Sequence, residues 1–281
     1  VSKAGGRKMS RVCQKGSAMS DITDQLIVSR DNGIGFIQLD NQAKRNAMTF
    51  DMWQGIPKVL DDFEADDAVR VVVVSGRGGK AFCAGADISQ FEKNRSSEDA
   101  VEIYNNTVKA ASDRLANCSK PTIAKIEGFC IGGGVGLALC CDLRIANDVS
   151  TYAVPAAKLG LGYRADGLTR LVDVVGPSFA KEIFYTARQF NPTEALEMGL
   201  INRIVPRAIL NTYVNDYAQT IARNAPLTIY AAKVVIDELI KSDGGDEARM
   251  ARVVDDCFNS ADYQEGRKAF MEKRKPHFKG K

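Results

Sequence analysis

Histidine is almost missing from this sequence: among its 281 residues only His277, near the C-terminus, is one. Catalytic triads and most zinc sites need histidine as a base or as a ligand. Seven cysteines are present, but their number is odd and no two are spaced as Cys-x-x-Cys. The sequence therefore argues against a His-dependent hydrolase, a structural zinc site and a disulfide framework. We expect most of the cysteines to be small buried apolar residues in a reducing compartment.

Long apolar runs and a strong excess of charge are also lacking. No apolar run reaches the roughly 20 residues that span a bilayer. The net charge is only +3, which gives no general nucleic-acid-binding surface. The hydrophobic fraction of 45% and the charged fraction of 26% are typical of globular proteins. We expect a soluble protein without membrane or nucleic-acid partners, located in the cytoplasm or alternatively in the mitochondrial matrix.

The first twenty residues contain five basic residues and no acidic one. They lack the apolar core of a secretory signal peptide. We expect residues 1–20 to form a disordered basic leader. An upstream start, an expression-derived extension and an organelle-targeting segment remain as alternatives.

Strands, glycine-rich loops and helices alternate along the rest of the chain. LIVSRDNGIGFIQLD predicts two strands joined at Asn32-Gly33, and the β-branched run VRVVVVSG predicts a strand buried on both faces. A polar helix is predicted over residues 97–116, and PTIAKIEGFC predicts another strand before the glycines GGG. From about residue 209 the pattern is helical. The predicted class is α/β, with a core over residues 21–208 and a helical region over residues 209–281.

The two glycine-rich loops, GRGGKAFCAGADI and GFCIGGGVG, do not match nucleotide-binding loops. Gly79-Lys80 is followed by Ala81 instead of Ser or Thr, and GGG does not fit G-x-G-x-x-G. Tight turns and close packing are one explanation for such glycines. A second is that each loop offers a backbone N–H at the start of a helix, where the dipole favours negative charge. Two converging N–H groups would stabilise the oxygen of an enolate.

Several segments together resemble one known family. In order along the chain these are AKRNAM, AFCAGADI, the strand before GGG, MGLINRIV and AFMEKRKPHF. They are similar to the crotonase (enoyl-CoA hydratase/isomerase) superfamily over residues 21–281. The resemblance implies a spiral of ββα units, a C-terminal helical trimerisation region, and a homotrimer or hexamer. It also implies an acyl-CoA thioester substrate, with CoA as part of the substrate and no separate cofactor or metal.

The resemblance also assigns site residues. It implies an oxyanion hole made by the backbone N–H groups of Ala84 and Gly133. A neighbouring subunit is expected to add Phe270 and Lys273. For Lys44, Arg45 and Lys273, ordinary solvated surface charge is the alternative. The residues expected to contact CoA are Lys44, Arg45, Ala84, Gly85, Ala86, Asp87, Phe270 and Lys273.

Two glutamates that position water in hydratases of the family are replaced. The first position, three residues after the oxyanion glycine, holds Gly136, and the second, after a proline, holds Ala156. Because neither residue accepts a proton, ordinary hydration is in doubt. The resemblance then points to Tyr163, Arg164 and Asp166 in LGLGYRADG, and more distantly to Asp87.

Three functions remain open from the sequence. Family frequency favours an enoyl-CoA hydratase or isomerase. The residues favour decarboxylation or isomerisation assisted by Tyr163, Arg164 or Asp166, because decarboxylation forms its own carbanion without a base. The third possibility is a protein that binds acyl-CoA, or RNA through its basic ends, without turnover.

Overall fold

The protein is described by a computed structural model that covers residues 22–90, 97–241 and 243–281. The predicted leader lies outside these residues. The described strands are β1 (Leu26–Asp31), β2 (Ile34–Leu39), β3 (Val71–Gly76), β4 (Ala81–Cys83), β5 (Thr122–Ile126), β6 (Phe129–Ile131), β7 (Leu143–Asn147), β8 (Thr151–Ala153) and β9 (Arg203–Val205). They form a large sheet in the order β1-β2-β3-β5-β7-β9 and a small sheet in the order β4-β6-β8.

The helices of the spiral lie between strands, whereas the last four helices in the described residues follow β9. Their bounds are α1 (Phe50–Ala65), α2 (Glu98–Ala116), α3 (Gly133–Leu139), α4 (Ala156–Leu159), α5 (Ala165–Thr186), α6 (Pro192–Glu197), α7 (Leu210–Arg223), α8 (Pro226–Leu239), α9 (Glu247–Phe258) and α10 (Ala261–Met271). None of the helices in these ranges is long and apolar enough to cross a membrane.

The chain winds through both sheets as a spiral. β1 and β2 pair antiparallel, as the Asn32-Gly33 turn predicts, and the other pairs in both sheets are parallel. Each later turn crosses the large sheet, then the small sheet, and then enters a helix: β3-β4-α2, β5-β6-α3 and β7-β8-α4. The predicted spiral of ββα units is confirmed.

One predicted strand is wrong. PTIAKIEGFC was expected to be continuous, but it divides into β5 in the large sheet and β6 in the small sheet. Gly128 lies at the division with φ +65°, and a Cβ there would lie 2.1 Å from the carbonyl oxygen of Lys80. Only glycine permits both this left-handed conformation and this close approach. The division places the end of β6 beside the end of β4.

The valines of β3 show why the large sheet is buried on both faces. Val71 and Val73 belong to one apolar cluster with Leu210 of α7, whereas Val72 and Val74 belong to another with residues of α1. Successive side chains of a strand point to opposite faces, so a continuous valine run has apolar partners on both sides. Burial of each such side chain stabilises the fold by about 1.5–3 kcal/mol.

The last helices pack against one another. Ala231 and Val234 of α8 form a small buried cluster with Val253 of α9. Earlier in the chain, α5 is kinked just before Pro177, because Gly176 has the non-helical conformation φ 73° and ψ 167°. The helices α7 to α10 lie between residues 210 and 271, in the part of the chain where the sequence pattern is helical.

Candidate active site

The candidate site lies where β4 and β6 end next to each other. Cys83 of β4 is paired with Cys130 of β6, so the two glycine-rich loops leave the small sheet side by side. The backbone N–H of Ala84, however, donates to the carbonyl of Arg45 at 3.0 Å. An N–H that is already bonded within the protein is not available to a ligand. The prediction that Ala84 supplies an oxyanion-hole N–H is therefore wrong.

The N–H that remains free in this loop is that of Ala86. The N–H of Met48 donates to the carbonyl of Gly85 at 2.8 Å, and the N–H of Asp87 donates to the carbonyl of Met48 at 2.9 Å. The N–H of Gly85 donates to the sulfur of Cys83 at 3.4 Å. Among the residues that the structure describes, the N–H of Ala86 has no hydrogen-bond partner.

Gly133 faces this free N–H. As the first residue of α3, its N–H has no acceptor within the helix, and no described residue outside the helix accepts from it. A Cβ built on Gly133 would lie 3.6 Å from the nitrogen of Ala86 and 3.7 Å from the Cα of Gly85. That is ordinary van der Waals contact, so glycine is not required here by packing. Its effect is to leave space in front of the N–H of Ala86.

Gly132 and Gly134, on either side of Gly133, are glycines for other structural reasons. Gly132 precedes α3 with φ 55° and ψ −118°, a conformation that residues with a side chain rarely adopt. Gly134 allows close packing, because a Cβ there would lie 2.2 Å from the carbonyl oxygen of Cys83. The three glycines of GGG therefore have three different effects. Gly132 permits a turn, Gly133 leaves an open space, and Gly134 permits close contact between α3 and β4.

Gly136 and Ala156, which stand where the resemblance implies the two hydratase glutamates, differ in their surroundings. Gly136 is exposed on α3, and a Cβ there would have no atom within 4 Å. Ala156 is only 3% exposed and belongs to the main apolar cluster. A side chain would fit at the first position, so packing does not explain why glycine is present there.

Tyr163, Arg164 and Asp166 lie together at the start of α5. The ring of Tyr163 packs edge-on against Phe184, with ring centroids 4.9 Å apart, and burial raises the pKa of its hydroxyl. Asp166 accepts from the N–H of Gly167 at 2.9 Å, and Arg164 is exposed. In the described structure, none of the three hydrogen-bonds to residues 84–87 or 132–136.

Lys44 and Asp87, both predicted to contact CoA, are paired with each other. The Lys44 ammonium lies 2.8 Å from the Asp87 carboxylate, which is 5% exposed and also accepts from the Ser89 hydroxyl at 2.7 Å. Burial alone would raise the pKa of Asp87, but the hydrogen bonds from Lys44 and Ser89 outweigh it, so the pKa lies below its usual value. Lys44 is therefore already paired with a buried carboxylate inside the protein.

The sulfur of Cys83 stabilises the loop that follows β4, because it accepts the hydrogen bond from the N–H of Gly85. Burial raises the pKa of its thiol to about 12, so it stays uncharged at neutral pH. Cys118, Cys130, Cys140 and Cys141 are also buried, as expected from the sequence. In the described ranges, no three His, Cys, Asp or Glu side chains are grouped so that they could hold a metal ion.

The remaining predicted residues are far more exposed. Arg45 has φ 53°, and its guanidinium lies 4.7 Å from the centre of the Phe129 ring. Phe270 is 83% exposed near the end of α10, and Lys273 follows the helix with φ 54°. Neither Phe270 nor Lys273 contacts the loops described above, and their assignment to the CoA site of a neighbouring subunit stays a prediction.

Comparison with known proteins identifies the family. Residues 29–281 match the family model described as enoyl-CoA hydratase/isomerase. A probable mitochondrial enoyl-CoA hydratase 2 of Arabidopsis thaliana is 35% identical over 254 residues, which cover 89% of this chain and 83% of the relative. A short-chain-enoyl-CoA hydratase of Clostridium acetobutylicum is 31% identical, covering 90% of this chain and 96% of the relative.

Solved structures agree with this assignment. The crystal structure of an enoyl-CoA hydratase/carnithine racemase from Magnetospirillum magneticum superposes with a TM-score of 0.87 at 32% identity, covering 92% of this chain and 97% of that one. A putative enoyl-CoA hydratase/isomerase family protein from Hyphomonas neptunium gives a TM-score of 0.86 at 34% identity, covering 92% and 98%. The spiral fold, the glycine-rich loops and these matches together show that the chain is an enzyme of the enoyl-CoA hydratase/isomerase family.

Proposed function

We propose that the protein binds an acyl-CoA thioester and stabilises its enolate with the backbone N–H groups of Ala86 and Gly133. The observation that carries this proposal is the open space between two unpaired N–H groups at the ends of β4 and β6. Fixed donors of this kind stabilise charge that develops on a carbonyl oxygen, because they need no reorganisation during the reaction. The start of α3 adds the positive end of a helix dipole.

Decarboxylation of a carboxylated acyl-CoA is the reaction that these residues support best. The bond between the α-carbon and the carboxylate breaks, CO₂ leaves, and the electron pair passes into the thioester enolate. No base has to remove a proton from the substrate. A reaction of this type therefore tolerates glycine at position 136 and alanine at position 156, where hydration would need two carboxylates.

Tyr163 is the proposed source of the proton that then returns to the α-carbon. Because burial raises its pKa, the hydroxyl stays protonated throughout the neutral range. Its ring is held by Phe184 and by Gly167, where a Cβ would lie 3.3 Å from the ring. Arg164 and Asp166 are exposed beside it and are proposed to orient a polar acyl group.

Two thioesters test the proposal side by side. Methylmalonyl-CoA is incubated with the protein and its loss of CO₂ is followed by chromatography of the acyl-CoA products. Crotonyl-CoA is followed by the ultraviolet absorbance of its conjugated enoyl group, which hydration removes. We expect decarboxylation without appreciable hydration, and a slower decarboxylation in Tyr163→Phe.

Rapid hydration that is undiminished in Tyr163→Phe and Asp166→Asn would contradict the decarboxylase proposal and favour a hydratase. Tight binding of both thioesters without any turnover would favour a non-catalytic acyl-CoA-binding protein.

A homotrimer, paired into hexamers, is the assembly that we propose. Its support is the apolar surface of the last two helices, where Phe258 is 59%, Phe270 83% and Met271 80% exposed. Contiguous exposed apolar surface of this kind marks protein–protein contacts. Analytical ultracentrifugation is expected to give trimers or hexamers for the wild type and smaller species for Phe270→Asp. A monomeric wild type would refute the proposal.

A further inference from the structure

After α10 the chain turns back along the helix that it has just left. The N–H of Lys273 donates to the carbonyl of Phe270 at 3.2 Å, and the N–H of Arg274 donates to the carbonyl of Ala269 at 3.0 Å. With Lys273 at φ 54°, this is the Schellman arrangement, which reverses the chain at the end of a helix. Glycine is the usual residue at this left-handed position, so the turn fixes Lys273 in a conformation that a lysine rarely adopts. We call residues 274–281, which follow the turn, the strap.

One carboxylate holds the far end of the strap. Asp262, the second residue of α10, is only 3% exposed. One of its oxygens accepts from the N–H of Lys279 at 2.7 Å, and the other accepts from the N–H of Gly280 at 2.7 Å. The N–H of Asp262 has no acceptor within the helix and donates to the carbonyl of Lys281 at 3.2 Å. Because hydrogen bonds satisfy both oxygens, the carboxylate can be buried where it joins the end of the strap to the start of α10.

A second carboxylate holds the beginning and the middle of the strap. The two oxygens of Glu265 accept from the guanidinium of Arg274 at 2.6 and 2.8 Å, and one of them also accepts from the N–H of His277 at 2.9 Å. The ring of Phe278 lies 3.5 Å from the place that a Cβ on Gly266 would take. The strap therefore contacts α10 from its first turn to its last.

The packing of α10 against the two preceding helices is incomplete. A groove of about 750 Å³ lies between α10 and the pair formed by α8 and α9. Tyr263 of α10 packs edge-on against Phe258 at the end of α9, with ring centroids 5.4 Å apart. The apolar cluster that α8 and α9 share, however, includes none of the described residues of α10. The hydrogen bonds of the strap therefore hold α10 where apolar packing does not.

The strap also connects α10 to the spiral core. A Cβ on Gly280 would lie 3.2 Å from the ring of Pro226, the first residue of α8, and 3.8 Å from the guanidinium of Arg70, which precedes β3. Gly280 has φ +78°, so a residue with a side chain would be both strained and crowded at this position. The end of the strap thus lies against both α10 and the core.

We infer that the strap locks α10 and thereby fixes the direction of Lys273, and that the Asp262 carboxylate is its latch. Asp262 is a positioning residue: it lies about 16 Å along the helix from Lys273 and acts through the strap, whose first residue closes the Schellman turn. Because Lys273 is expected to contact the CoA of a neighbouring subunit, this role of the latch rests on the proposed acyl-CoA function. The strap itself does not depend on that function.

Limited trypsin digestion of the full chain tests the strap, because the bonds to Glu265 hold the cleavage site Arg274 on α10. The mass of the released C-terminal peptide identifies cleavage after Arg274. In Asp262→Asn the amide nitrogen faces an N–H donor, so at least one hydrogen bond to a charged acceptor is lost. We expect cleavage about tenfold faster than in the wild type, since the rate follows the population of the released strap. Gly280→Ala, which disturbs the strap without changing α10, should also be cleaved faster.

Two matched variants serve as controls for the digestion. Asp255→Asn removes an exposed carboxylate near the end of α9, and Gly266→Ala adds a Cβ at an ordinary van der Waals distance from Phe278. Both should be cleaved at the wild-type rate. Equal rates of cleavage after Arg274 in the wild type, Asp262→Asn and Gly280→Ala would overturn the strap.

Calorimetric titration with CoA tests the role of Lys273. We expect CoA to bind Asp262→Asn about threefold more weakly than the wild type, because release of the strap lowers the population of the binding-competent form. In a Lys273→Gln background, Asp262→Asn should cause no further loss, since the latch acts through Lys273. The same threefold loss in both backgrounds would overturn the positioning role. A wild type that binds no CoA would overturn the acyl-CoA function and the role of Lys273, whereas the cleavage rates decide on the strap independently.

Discussion

Replacement of Gly134 by alanine tests how α3 is held against β4. The new Cβ would lie 2.2 Å from the carbonyl oxygen of Cys83, 2.9 Å from its carbonyl carbon and 3.0 Å from its Cβ. These atoms are fixed in the small sheet by β6 and cannot rotate away, so α3 and β4 must separate by about 1 Å to restore normal contact distances. Overpacking of this kind costs about 1–3 kcal/mol, and because the obstacle is backbone we expect the upper end of that range.

The expected cost corresponds to a loss of roughly 5–10 °C in Tm. Gly136→Ala is the matched control: it lies on the same helix, but its Cβ would have no atom within 4 Å. Alanine favours a helix over glycine by up to about 1 kcal/mol, so the control should melt at or slightly above the wild-type temperature. Thermal unfolding followed by circular dichroism measures the Tm of the wild type, Gly134→Ala and Gly136→Ala. A Tm of Gly134→Ala within one degree of the control would refute the packing argument.

Two further perturbations follow from burial. Gly136→Glu should fold with a stability within about 1 kcal/mol of the wild type, because its position is open, whereas Ala156→Glu should lose several kcal/mol, because it buries a carboxylate in the apolar cluster. Asp87→Asn should lower the Tm at pH 7, and this loss should shrink as the pH falls below 3.8: the depressed pKa of Asp87 adds stability above its ordinary value of 3.8, and this stability is lost as the pH falls through the native pKa. Urea unfolding measures the stability of Gly136→Glu and Ala156→Glu. Melting curves at a series of pH values measure the Tm of Asp87→Asn.

Local patterns were enough to predict much of the fold. The hairpin at Asn32-Gly33, the buried valine strand β3 and the helix over residues 98–116 all follow from short-range signals. The division at Gly128 did not follow, because its cause is the approach of the carbonyl of Lys80, which is distant in sequence. A glycine inside an apolar run permits either a continuous strand or a break, and only the tertiary neighbour decides between them.

In the loop after β4, the residue whose backbone N–H is unpaired, Ala86, lies two residues after the predicted Ala84. The motif identified the loop after β4, but whether Ala84 or Ala86 has a free N–H depends on the segment containing Arg45 and Met48, which pairs with that loop. Gly85, with φ 103°, redirects the chain between them, and a glycine at this point was the available signal. Similarly, the Lys44–Asp87 pair joins residues 43 positions apart and has no local signature.

The most direct test of the central claim is the infrared carbonyl band of a bound thioester. Crotonyl-CoA labelled with ¹³C at the thioester carbon is bound to the wild type and to Gly133→Ala, whose Cβ would fill the space in front of the N–H of Ala86 without a clash in the protein. Hydrogen bonds from Ala86 and Gly133 polarise the carbonyl. We expect a band shifted to lower frequency in the wild type and an unshifted band in Gly133→Ala, with equal Tm for both proteins. An unshifted band for the thioester bound to the wild type would contradict an oxyanion hole formed by Ala86 and Gly133.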